Sequence, residues 1–124
     1  IVKGRDELNE FKTCGKLKER IEITWKYESD NLPSPDEAKK MEEVETVIRK
    51  AMEKDKLAIL TGIYTGGGER VWVFYTRTTR VFGERLNEAL APFELLPITL
   101  YAEVDSEWEE YTDMYEAKDW SVDN

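Results

Sequence analysis

The chain has 124 residues, and its 18 Lys and Arg against 27 Asp and Glu give a formal net charge of −9 at pH 7. It has no histidine and one cysteine, Cys14, which excludes a Ser-His-Asp or Cys-His catalytic group, a histidine-ligated metal and a disulfide within the chain. Hydrophobic residues make up 40% of the chain and charged residues 36%, and no apolar run approaches the roughly 20 residues that a bilayer span requires. From this length and composition we expect one folded domain, residues 1–124.

The negative charge is concentrated at the C-terminal end. Residues 103–124 hold one basic and nine acidic side chains and so carry −8 of the net charge. The nearly neutral remainder is not expected to attract nucleic acid or anionic lipid, whereas the acidic end could attract a basic partner. The alternative is that these carboxylates only keep the protein soluble.

The first clear strand and the best helix follow one another. RIEITWKYE, residues 20–28, alternates apolar and polar side chains and predicts a strand with one buried face. In SPDEAKKMEEVETVIRKAMEKDK, Ser34 fits an N-cap, Pro35 the first helical position and Glu37 the third, as in a capping box. The apolar stripe of this helix comprises Ala38, Met41, Val44, Ile48 and Met52.

A hairpin comes next. LAILTGIYTGGGERVWVFYT predicts strands near 58–64 and 70–76, joined by a turn through the glycines at 66–68. A strand rather than a helix follows TGGGER, so a phosphate-binding loop is not predicted there. Trp72 and Phe74 alternate with other apolar residues, which indicates an inner strand with two buried faces.

A second helix near 79–91 and a strand near 95–103 complete the predicted order of strand, helix, strand, strand, helix, strand. Right-handed connections then give an α+β, ferredoxin-like split β-α-β sandwich: a four-stranded antiparallel sheet with two helices on one face. The opening IVKGRDELNEFK could add the end of another strand and a short helix. A terminal helix would begin at Ser106, with Glu109 at its third position.

The predicted core covers about residues 20–103, with an N-terminal segment at 1–19 and an acidic C-terminal extension at 104–124. Because the chain begins at Ile1 rather than with Met, we expect the N-terminal segment to be the remainder of a longer one. A lone thiol fits a reducing compartment, so we expect a cytoplasmic protein.

Several runs of this chain resemble one bacterial family. RIEITWKYE, LAILTGIYTGGGERVWVFYTR, FGERLNEALAPF, LPITLYAE and DSEWEEY, from about residue 20 to 111, look like the domain of unknown function 695, which often has Pro where Ser106 stands here. The resemblance implies a ferredoxin-like fold and supplies no catalytic residue or cofactor. In some proteins this domain stands beside one similar to the regulator of ribonuclease E activity B, but such a neighbourhood does not transfer function.

The leading candidate site is aromatic and lies in the acidic extension. Trp108, Tyr111 and Tyr115 would share one side of the terminal helix and form a protein-binding arm for a basic patch. The alternative is structural: Trp108 would fold back onto the sheet, cover Trp72 and Phe74, and complete the core.

Two other hypotheses have less support. Trp72 and Phe74 could stack RNA bases on a helix-free face beside Arg70, although ERVWVFYTR lacks the Lys/Arg-Gly-aromatic pattern of the RNA-recognition motif. A carboxylate- or metal-dependent enzyme is the weakest hypothesis, because the acidic residues between 105 and 113 do not match an EF-hand loop.

We therefore expect a non-enzymatic protein-interaction or regulatory domain that acts through the acidic aromatic arm and a sheet face. No catalytic residue, cofactor, metal or membrane partner is predicted. The expected partner is a protein, with either a basic surface or a second copy of this chain, and nucleic acid is the weaker alternative.

Overall fold

The structure, a computed structural model, describes residues 2–5, 8–28, 32–93 and 96–114. Residues 109–114 are helical, and among the described residues no helix has both the length and the apolar composition that a membrane span requires. The other elements, in chain order, are β1 (Val2–Gly4), α1 (Asn9–Thr13), β2 (Glu19–Lys26), α2 (Pro35–Glu53), a 3₁₀ turn (Lys54–Lys56), β3 (Ala58–Gly66), β4 (Glu69–Thr76), α3 (Thr79–Leu90) and β5 (Ile98–Val104).

The strands form one antiparallel sheet in the order β1-β3-β4-β2-β5. The α+β class is therefore confirmed. The sheet has five strands rather than four, because the short β1 pairs with β3, placing Val2 opposite Tyr64. The described sheet consequently ends in two edges, the three-residue β1 and the seven-residue β5.

Both long helices cover the same face of the sheet, which we call the helix face. As predicted, Ser34 caps α2: its Oγ accepts a hydrogen bond from the Glu37 amide at 3.2 Å. The buried helical side chains pack on Ile21, Ile23 and Trp25 of β2. Those helical side chains are Met41, Val44, Ile48 and Met52 of α2 and Phe82 and Leu86 of α3.

Trp72 and Phe74 also lie on the helix face. The indole Nε1 of Trp72 donates to Glu45 of α2 at 2.7 Å, and the ring of Phe74 meets that of Phe82 edge-on at 5.4 Å. The expectation that these two side chains could occupy a helix-free face is therefore wrong. Ile21 lies opposite Phe74 across the β2–β4 pair, so the helices cover the side on which both strands are apolar.

The hairpin turn has the conformation that its glycines allow. Gly67 and Gly68 have φ of 60° and 85°, the left-handed conformation at both central positions of a two-residue hairpin turn. Nearer the start of β3, the register against β4 shifts between Leu60 and Gly62. This bulge places Leu60 and Ile63 on the helix face despite their odd spacing.

The opposite side of the sheet, which we call the second face, has its own apolar cluster. Tyr75 stacks on Trp108, with ring centroids 4.3 Å apart and planes 22° from parallel. The indole Nε1 of Trp108 donates to the Leu17 carbonyl at 2.8 Å. The buried members of this cluster are Leu8, Leu17, Ile59, Val73, Tyr75 and Trp108. Residues before β2 and after β5 thus cover the second face together.

We expect Trp108→Ala to lower the free energy of unfolding by about 3–5 kcal/mol, because it removes a buried indole and leaves the Leu17 carbonyl without its donor. Urea unfolding followed by circular dichroism measures this change. The exposed neighbour offers a control, Glu107→Ala, which should stay within about 0.5 kcal/mol of the parent. Equal stability of the two variants would show that Trp108 does not anchor the second face.

Candidate protein-interaction surface

The aromatic residues of the C-terminal segment, residues 105–114, belong largely to the core. Trp108 is 1% exposed, and Tyr111 is half-buried with its hydroxyl donating to the Arg5 carbonyl. The prediction that these two side chains form an exposed arm is therefore wrong, and Tyr115 lies outside the described residues. Trp108 does fold back onto the sheet, but onto Tyr75 of the second face rather than onto Trp72 and Phe74.

Asp105 holds the start of this segment. Its carboxylate accepts hydrogen bonds from the Tyr75 hydroxyl at 2.6 Å and from the amides of Glu109 and Glu110 at 3.0 Å each. Asp105 therefore caps the terminal helix, and the prediction that Ser106 would do so is wrong. The reason lies in Trp108, whose φ of 57° bends the chain so that the helix begins at residue 109.

The same hydrogen bonds set the protonation of this pair. Partial burial opposes the charge on Asp105, but the bonds from Tyr75 and from the amides of Glu110 and Glu109 outweigh it and lower the pKa of the carboxyl. Burial and the neighbouring carboxylate both raise the pKa of the Tyr75 hydroxyl. Asp105 is therefore the charged acceptor and Tyr75 the neutral donor at neutral pH.

A buried arginine links the outer strand to the sheet. Arg20 is 7% exposed, and its Nη1 contacts Glu22 on β2 and Glu103 on β5, the latter at 3.5 Å. Burial works against the charge on Arg20, but the hydrogen bond to Glu22, the negative charge of Glu22 and smaller contributions from Tyr75 and Tyr64 together outweigh it and raise the pKa. Arg20 lies directly opposite Glu103 in the β2–β5 register, so the one carboxylate of β5 already has a cationic neighbour.

Arg70, which the RNA hypothesis placed beside the sheet aromatics, has a structural role. It is half-buried, and its Nε donates to the hydroxyl of Thr65 at 3.0 Å, bridging the two strands of the hairpin. Because Trp72 and Phe74 lie beneath the helices, these three side chains do not form an exposed stacking surface.

A small cavity of about 290 Å³ opens near α1. The basic residues that line it, Lys16, Lys56 and Arg77, are exposed. The Nε of Arg77 donates to the Lys56 carbonyl at 2.9 Å. The thiol of Cys14 donates to the Phe11 carbonyl at 3.0 Å. Among the described residues, no group of three His, Cys, Asp or Glu side chains could hold a metal ion. The cavity is lined by Glu10, Phe11, Cys14, Lys16, Leu17, Lys56 and Arg77.

The exposed apolar surface gathers on β5. Leu100, Tyr101 and Val104 are 42%, 56% and 74% exposed. The strand is seven residues long, keeps an unbroken register with β2 and contains no lysine or proline. Of the features that usually block sheet edges, it has one charged residue, Glu103. The sequence pattern predicts this strand, but it does not show that the strand lies at the edge of the sheet.

The backbone of β5 shows which groups point outward. The pairs at either end of the β2–β5 ladder are hydrogen-bonded: the Asp105 amide donates to the Lys18 carbonyl at 2.8 Å, and the Lys26 amide to the Pro97 carbonyl at 3.2 Å. In an antiparallel pair every second residue bonds to the neighbouring strand, so the odd-numbered residues of β5 bond to β2. Leu100, Ala102 and Val104 therefore direct both N–H and C=O groups to the free edge. Ile98 directs its carbonyl there, because its amide already donates to the Leu96 carbonyl at 2.8 Å.

We expect Asp105→Asn to lower the free energy of unfolding by about 1.5–3 kcal/mol at pH 7, because an amide replaces one charged acceptor oxygen with a donor. Folding lowers the pKa of Asp105, so its contribution is present above its unfolded pKa of about 3.9 and disappears as the pH falls through the folded value. The difference from the parent should therefore shrink below about pH 4.

Urea unfolding at pH 7 and pH 3 measures both effects. Asp113→Asn, at an exposed position of the same segment, is the matched control and should change stability by less than about 0.5 kcal/mol. A loss for Asp105→Asn that is equal at both pH values would contradict the charged cap.

Comparison with known proteins identifies the family of this chain. A family of unknown function, DUF695, matches residues 2–115. No curated protein and no solved structure matches the chain. Because the matched range includes every strand and helix described above, from β1 to the helical residues 109–114, the chain belongs to the DUF695 family.

Proposed function

We propose that this chain is a non-enzymatic protein-interaction domain that binds its partner by adding a strand to the outer edge of β5. The observation that carries the proposal is the edge itself: a seven-residue strand in which Leu100, Ala102 and Val104 direct N–H and C=O groups outward and the side chains of Leu100, Tyr101 and Val104 are exposed. An added strand would bond to those backbone groups and cover the apolar side chains, as in β-augmentation.

The rest of the described molecule supports contact rather than chemistry. The chain has no histidine, and its one thiol, Cys14, is exposed and bonded to a backbone carbonyl rather than to a base. The large aromatic side chains of β4, on both faces of the sheet, are taken up by the core. A lone thiol also supports a cytoplasmic, reducing location.

We also infer that the fold is a ferredoxin-like split β-α-β sandwich extended by β1. Within β2 to β5 the order is β3-β4-β2-β5, so α2 connects two strands that flank β4, and α3 connects two strands that flank β2. That arrangement corresponds to two interleaved β-α-β units. It also explains why β5, the last strand, lies at an edge.

A photocrosslinking amino acid at position 101 tests the proposed function in the cells that make this protein. We expect a specific crosslinked protein at position 101 and none when the same group replaces Arg80 on α3, whose side chain is 80% exposed. Leu100→Lys should weaken the crosslink at 101 at least about tenfold, because a charge on the edge opposes strand addition. Equal crosslinking at positions 101 and 80, or none at 101, would contradict the proposal.

A further inference from the structure

We infer that the strand added at β5 is β5 of a second copy of this chain, so that two copies form one continuous antiparallel sheet about a two-fold axis at Tyr101. This inference rests on the proposed function of the β5 edge and names its occupant. The argument uses the direction of the backbone groups, the side-chain pairs that result, and the path of the acidic segment.

The outward backbone groups fit a second copy in one register. Pairing Leu100 with the partner's Ala102 lets these residues exchange N–H···O=C bonds in both directions, and pairing Ile98 with the partner's Val104 lets the Val104 amide donate to the Ile98 carbonyl. Moving the axis by one residue leaves at least one outward residue of β5 without a partner inside the strand. The register centred on Tyr101 is thus the one in which every outward residue of β5 has a partner residue within the strand.

The side chains agree with this register. Ile98, Leu100, Ala102 and Val104 all lie on the helix face, so each pair across the new interface there is apolar. On the second face, Tyr101 would meet its own copy, and Glu103 would meet the partner's Thr99. No like charges face each other, whereas an axis moved to residue 103 would oppose two carboxylates.

The acidic side chains of residues 107–113 do not oppose this interface, because the segment that carries them runs away from it. After Asp105 the chain crosses the second face toward β1: the Tyr111 hydroxyl bonds to the Arg5 carbonyl, and Met114 lies against Gly62 of β3. At β5 itself, Arg20 offsets the one carboxylate, Glu103. Charges at the far edge lie beyond the ~8 Å screening length at physiological salt.

Cysteine scanning of the full chain tests the register. In a Cys14→Ser background, Tyr101→Cys should oxidise to a disulfide-linked dimer of twice 14.5 kDa, because Cα atoms of a non-hydrogen-bonded antiparallel pair lie about 4.5 Å apart. Thr99→Cys is the matched control on the same face and should not form a disulfide-linked dimer, since the two copies of residue 99 would be roughly 13 Å apart. Mixing Thr99→Cys with Glu103→Cys chains should give a mixed disulfide dimer.

Amide hydrogen exchange of the unaltered chain provides a measurement that needs no substitution. Raising the protein concentration should slow exchange at Leu100, Ala102 and Val104 by about tenfold or more and leave Ile98, Thr99, Tyr101 and Glu103 unchanged, because the Ile98 amide already donates to the Leu96 carbonyl. Equal disulfide formation at residues 99 and 101, or exchange in β5 that does not depend on concentration, would overturn the inference. If photocrosslinking at position 101 captures only a different protein, the interaction function stands and the second copy is ruled out.

Discussion

The fold depends on the fact that β4 is apolar on both of its faces. Trp72 and Phe74 project to one side, and Val73 and Tyr75 to the other, and all four are at least 97% buried. An inner strand of this kind requires a cover on each side, because either face left open would expose large aromatic surface to water. The two long helices cover one face, and the chain has no third long helix among its described residues for the other.

The cover of the second face is assembled from short pieces at both ends of the described chain. Leu8 and Leu17 come from the region of α1, and Trp108 from the C-terminal segment, so residues about 90 positions apart in sequence meet on Tyr75. Asp105 makes this closure specific, since its carboxylate binds the Tyr75 hydroxyl and the first amides of the terminal helix. The aromatic residues that resemble binding anchors in the sequence are thus used to complete the core.

Local pattern predicted the long elements well. The N-cap at Ser34, the stripe ending at Met52 and the glycine turn are short-range signals, and the structure has each of them. Local pattern does not predict the face of the sheet on which Trp72 lies. Alternation in β4 shows which side chains share a face, but not which of the two faces the helices cover. The bulge near Gly62 and the cap by Asp105 depend on tertiary contacts, with β4 and Tyr75 respectively, so the local sequence did not signal them.

The free edge of β5 and the covered second face are linked through the chain itself. Val104, the most exposed apolar residue of β5, is followed directly by Asp105, whose amide closes the β2–β5 ladder at Lys18 and whose carboxylate anchors the C-terminal segment. Releasing that segment would therefore loosen the end of β5 as well as uncover Tyr75. It would also release the acidic side chains of residues 107–113, so the closure that completes the core also holds these charges away from β5.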